Sequence, residues 1–153
     1  MDFLQLSPVI EQAHKHAGFE AGALNHELRE PGHLLLGILK ILGSNNTART
    51  ALTSYGITYE VVFKAVGGWY KSAETSSSFV ELDSPDTIDV LLLTDQLAQQ
   101  DGDHIAYQRL DHLLRVLIEH DIDNRIRVLL TNAGIYYGDM LWRLDIEVAN
   151  SSN

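Results

Sequence analysis

Apolar residues return at spacings of three and four through most of the chain, and no apolar run alternates with period two between turn residues. The pattern predicts helices and no strands. An opening helix carries Val9, Ile10, Ala13 and Ala17, and a second carries Leu34, Leu35, Ile38, Leu39 and Leu42. A third shows Ala48, Ala51, Leu52 and Tyr55, and a fourth Val61, Val62, Ala65 and Val66. The same order then returns: Ile88, Leu91, Leu92 and Ala98; Leu113, Leu114, Leu117 and Ile118; Ile126, Leu129, Leu130 and Ala133; Tyr137, Met140, Leu141 and Leu144. Each opening helix begins with Ser-Pro (Ser7-Pro8, Ser84-Pro85), where serine caps and proline occupies the first turn at no cost. Each third helix runs into Gly-Ile, at Gly56 and Gly134, suited to a left-handed C-cap.

These correspondences hold at a nearly constant offset of about 78 residues, the signature of an internal duplication. The expected fold is therefore all-α: eight helices as two pseudo-twofold-related four-helix repeats in a single domain spanning residues 1–153. Repeat one covers about 5–70, a linker about 71–82, and repeat two about 83–147. The linker assignment rests on Lys71 to Ser78, which is polar, serine-rich and poor in apolar side chains.

Composition narrows the class of partner. With 21 acidic against 11 basic residues the formal net charge is −10, so a polyanion is repelled at long range and nucleic acid is not expected as a partner. No segment approaches the roughly 20 apolar residues that span a bilayer, and the N-terminus lacks a basic-then-apolar signal pattern, so a cytoplasmic location and no membrane partner are expected. The absence of cysteine removes disulfides, thiolate metal sites and a cysteine nucleophile.

The stretch Gly32-His33-Leu34-Leu35-Leu36-Gly37-Ile38-Leu39, its diverged second copy Asp111-His112-Leu113-Leu114-Arg115-Val116-Leu117, and the doubled Ser-Pro and Gly-Ile signals resemble the N-terminal repeat domain of Clp-type protein-unfolding ATPases such as the ClpC and ClpA chaperones. The resemblance covers about residues 5–145. It implies a domain that recognises substrates or adaptor proteins, here without the ATPase modules, since no Gly-x-x-x-x-Gly-Lys-(Ser/Thr) phosphate loop occurs. Some relatives bind phosphoarginine, using the start of the first helix for the phosphate and a carboxylate just before the motif histidine for the guanidinium; helix N-termini suit anions, and carboxylates pair with guanidinium through two parallel hydrogen bonds. Carried over residue by residue, the helix starts fall at Ser7 and Ser84 and the carboxylate positions at Gly32 and Asp111. Repeat one has therefore lost its acid, Glu30 lies two residues away at an angle that aims it elsewhere, and Ser84 with Asp111 forms the better-preserved set.

Other chemistry finds little support. His14 and His16 point to different sides of a helix and cannot share a metal, and Asp101-Gly102-Asp103 and Asp121-Ile122-Asp123 lack the remaining ligands of a calcium loop and read as solvated loops. His33 and His112 are expected to complete local hydrogen-bond networks. No Gly-x-Ser-x-Gly turn marks a nucleophile. Trp69, Tyr70, Tyr136, Tyr137 and Trp142 either line a groove between repeats or belong to the core. The expected function is a protein-binding module, without catalysis or cofactor, acting on a Clp adaptor, a substrate or a Clp ATPase as a stand-alone regulator or decoy. A helical sensor with a closed apolar cavity for a small ligand, and a small helical enzyme, are the alternatives.

Overall fold

The computed structural model describes residues 6–41, 47–101 and 109–140. Seven helices lie within them: α1 Pro8–Ala23, α2 Pro31–Lys40, α3 Thr47–Thr53, α4 Tyr59–Gly67, α5 Pro85–Asp101, α6 Leu110–Glu119 and α7 Arg125–Asn132. An eighth opens at residues 137–140. Among the described residues there is no strand, only isolated bridges from His26 to Ser72 and from Arg29 to Asp83. The chain is thus all-helical, four helices to each repeat.

Helices α2 and α6 form the centre. Every residue from Gly32 to Leu39 is buried, and so is α6 from Leu110 to Ile118 apart from Arg115. A helix apolar on all sides needs neighbours on all sides, and the packing supplies them: α1 lies along α2 and α5 along α6, α2 and α6 meet each other, and α3 of the first repeat leans on α6 of the second. The α1–α2 approach is close because position 37 has no side chain, since a Cβ there would stand 2.4 Å from the Ala13 carbonyl oxygen.

The predicted caps form. Ser7 Oγ accepts the Ile10 N–H at 3.3 Å and Ser84 Oγ accepts the Thr87 N–H at 3.1 Å. Gly56 and Gly134 adopt φ of +81° and +83°, and beyond them Ile57 donates to Leu52 O and Ile135 to Leu130 O, the same C-terminal lock in both repeats.

The buried face of α5 differs from the expected one. Ile88 and Leu92 are 39% and 43% exposed, whereas Thr87, Val90, Leu91, Thr94 and Ala98 face inward. Two buried threonines turn the helix. The Thr87 hydroxyl donates to Arg29 O and the Thr94 hydroxyl to Val90 O, both at 2.8 Å, so neither enters the core unsatisfied. Tyr55, Val61 and Ala133 are likewise exposed rather than core, while Phe63 takes up packing that the periodicity assigned to Val61. Leu42, Leu141, Trp142 and Leu144 fall outside the described residues.

The segment from Lys71 to Ser78 keeps its side chains mostly exposed, but its backbone is tied down: Ala73 donates to Asn25 O and Glu27 to Lys71 O. Phe79 then stacks edge-on against Phe19 at 4.8 Å, and Val80 donates to Gly18 O. Asp83 closes the strap by receiving both His14 Nε2 at 2.9 Å and Arg29 Nε at 2.8 Å. Those two partners hold its carboxyl below the usual range despite the opposing effect of burial.

Candidate functional site

The starts of α2 and α6 are built alike. His33 Nδ1 accepts the Glu30 N–H at 2.8 Å and His112 Nδ1 accepts the Arg109 N–H at 3.0 Å, so each motif histidine caps its own helix. In repeat one the geometry also fixes the tautomers. Because His33 Nδ1 is an acceptor, its Nε2 carries the proton and donates to His26 Nδ1 at 2.8 Å, leaving His26 Nε2 to donate to Gly67 O at 3.3 Å. Burial, reinforced by His26, lowers the His33 pKa to about 3, and His26 is lowered by burial as well.

The four positions singled out by the sequence are not gathered into one place. Ser7 and Ser84 are both buried caps. Ser84 is tied to the other repeat through its backbone: its N–H donates to Arg29 O at 3.0 Å, while its Oγ donates to the Thr87 hydroxyl of its own helix at 3.0 Å. Glu30, expected to aim elsewhere, lines a cavity between the repeats together with Asp86 from the first turn of α5. Burial raises the Glu30 pKa, an effect opposed by Ser84.

The absence of an acid at position 32 has a packing counterpart. Tyr70 fills that space, its hydroxyl accepting the Gly32 N–H at 3.0 Å, and a Cβ on Gly32 would stand 3.0 Å from that hydroxyl. Asp111 is present but engaged: Arg109 Nη2 donates to its carboxylate at 2.7 Å, and that carboxylate is 3% exposed. Burial pushes its pKa up and Arg109 opposes the shift. Among the described residues no hydrogen bond or ion pair joins Ser84 to Asp111.

Two open cavities flank His120, the C-cap of α6, which lines both. The first, of about 250 Å³, lies between the repeats. Glu30, Asp86, Asp121 and Asp123 bring carboxylates to it, Trp69 and Tyr70 supply aromatic walls, and Arg125 sits with its guanidinium 5.1 Å from the Tyr70 ring centre while donating to Trp69 O. Asp121 is not the solvated loop residue that its sequence neighbourhood suggested: it accepts the Arg127 N–H at 2.8 Å and receives further backbone bonds from Arg125 and Ile126, capping α7. The second cavity, of about 300 Å³, is a groove between α5 and α6 lined by Leu93, Leu97, Val116, Gln96, Gln100, Glu119 and His120. Trp69 and Tyr70 are half-buried, packing on the core and lining the first cavity at once; Tyr136 is 69% exposed. Sequence reasoning missed Arg109 and Arg125. Only Arg109, two residues before the retained acid, left a readable signal.

This architecture, two interlocked four-helix repeats, is that of Clp-like N-terminal domains. Superposition on the Hsp104 N-terminal domain from Candida albicans gives a TM-score of 0.69 at 16% identity, covering 92% of this chain and 89% of that one. A chain from a structural investigation of a malarial protein secretion system gives 0.71 at 14% identity, covering 95% of each. At these identities the likeness establishes the fold. No family model and no curated protein sequence matches the chain.

Proposed function

We propose that this chain is a protein-recognition module of the Clp N-terminal kind, acting in the cytoplasm as a stand-alone regulator or decoy that holds a segment of a Clp substrate, an adaptor or a Clp ATPase. The observation that carries this reading is the open α5–α6 groove: an apolar floor of Leu93, Leu97 and Val116 rimmed by the amides of Gln96 and Gln100. An apolar centre with a polar rim is the composition of a protein-binding surface. Its occupant is a protein segment that presents an apolar side chain beside basic residues, because α5 carries Asp86, Asp89, Asp95 and Asp101 and no cation, on a chain of net charge −10. Binding rather than catalysis is the role this surface supports.

The test compares the purified chain with Leu93→Gln/Leu97→Gln, both checked for helicity, as baits in a lysate of the source organism. Recovery of Clp subunits, adaptors or their substrates by the wild type and not by the variant supports the reading. Equal recovery by both removes the groove as the site.

Phosphoarginine recognition at Ser7, Ser84 or Asp111 carries a structural condition: Arg109 has to leave Asp111, and Tyr70 has to leave the space beside Gly32. We infer that the wild-type chain does not bind the mark and that Asp111 is masked from within. Calorimetric titration with free phosphoarginine checks this; binding that appears only in Arg109→Ala identifies the masked acid, and binding by wild type overturns the inference.

A further inference from the structure

We propose that the cavity between the repeats is a receptor for one lysine or arginine side chain, unphosphorylated, projecting from the same partner segment whose apolar residue lies in the α5–α6 groove. This rests on the recognition reading above and adds the chemical class of a second contact.

Three observations support it. First, the cavity already holds a cation of this kind. Arg125 lies over the Tyr70 ring and donates to the Trp69 carbonyl, so the walls accept a guanidinium both by its face and by its N–H groups. Second, the acidic charge exceeds the basic: four carboxylates line the cavity against two cations, of which Lys71 pairs outward with Glu27 and Arg125 only partly offsets the charge on Glu30. Of the carboxylates lining the cavity, Asp121 is committed to the α7 amides, whereas Glu30, Asp86 and Asp123 form no ion pair among the described residues, and each of the last two makes Glu30 harder to ionise. A cation entering there relieves a repulsion built into the fold, and a phosphate adds to it. Third, the space fits. About 250 Å³ is below the roughly 300–1,000 Å³ typical of small-molecule sites, which suits a single long side chain better than a free ligand. His120, whose Nε2 is buried without a hydrogen-bond partner, lines this cavity and the groove alike, so a short segment spans the two.

The experiment measures fluorescence anisotropy of a labelled peptide containing leucine and arginine against its citrulline counterpart, which keeps the shape and loses the charge. The arginine peptide is expected to bind about tenfold more tightly, as one charge-assisted contact provides. Glu30→Gln/Asp123→Asn is expected to erase that preference, while Glu11→Gln/Glu60→Gln, which removes the same charge from exposed positions on α1 and α4, leaves it within about twofold. Equal affinity for the two peptides, or equal loss in both double variants, overturns the proposal, the second by showing diffuse attraction instead of a site. Binding of both peptides that is lost in Leu93→Gln/Leu97→Gln sinks this inference and keeps the groove; binding of neither, together with equal recovery by the two baits, sinks both.

Discussion

Replacing His33 with glutamine is expected to make the fold less sensitive to mild acid. His33 is fully buried, its Nδ1 accepts the Glu30 N–H, and its Nε2 proton is spent on His26, so the folded protein holds the imidazole neutral. Its pKa falls from an ordinary 6.5 to about 3, with burial the main cause and His26 the second. A histidine depressed in the folded state contributes stability that is complete above the unfolded pKa and declines as pH falls toward the folded one. Each pH unit in that window costs about 1.4 kcal/mol. Between pH 7 and pH 5 the wild type therefore loses about 2 kcal/mol through this residue alone. Glutamine removes the titration, although it costs on the order of 1–3 kcal/mol at neutral pH by disturbing a buried hydrogen-bond chain. Urea unfolding of both proteins at pH 7 and pH 5 separates the two effects, since carboxylate contributions common to both cancel in the difference. Stability gaps between wild type and variant that agree within about 0.5 kcal/mol at the two pH values would refute the assignment of His33 as a neutral, donor-committed imidazole.

Three further outcomes are expected. Gly37→Ala drives a methyl group against the Ala13 carbonyl oxygen and should destabilise the protein by about 1–3 kcal/mol in chemical denaturation despite alanine's better helix propensity. Gly56→Ala and Gly134→Ala meet no neighbouring atoms but force a side chain into the left-handed region; each should lower stability by about 1–2 kcal/mol, and by similar amounts, as thermal melts will show. Asp111→Ala removes the buried partner of Arg109 at the start of α6, the helix on which α3 packs; hydrogen exchange should accelerate in residues 48–52 of the first repeat, although the substitution is in the second.

The fold was readable because its signals come twice. Ser-Pro, His-Leu-Leu and Gly-Ile recur in order, and each proves to be a local device with a local cause: a cap, a capping histidine and a left-handed stop. Reading went astray where a neighbour's backbone decided the outcome. Thr87 and Thr94 look polar in a one-dimensional pattern, yet their hydroxyls are satisfied by carbonyls, so they displace Ile88 and Leu92 from the core. The candidate site was less legible still. Glu30 shares a cavity with Asp86, and Tyr70 fills the space at Gly32, across sequence separations of some forty to sixty residues that periodicity does not encode. Asp121 looked like a loop acid because its partners are amides, which every residue has.

The shared contacts across the duplication bear on how the chain is made. Helix α3 of the first repeat packs on α6 of the second, and the first turn of α5 is fastened through Thr87 to the Arg29 carbonyl of the first. Neither half covers its own central helix without the other. A nascent first repeat leaving the ribosome therefore emerges with one face of α3 and the far side of α2 bare, and it cannot close until residues near position 118 have been synthesised. Duplication here has produced two halves that ripen together, with the earlier one exposed to chaperones and proteases for the time it takes to translate the later.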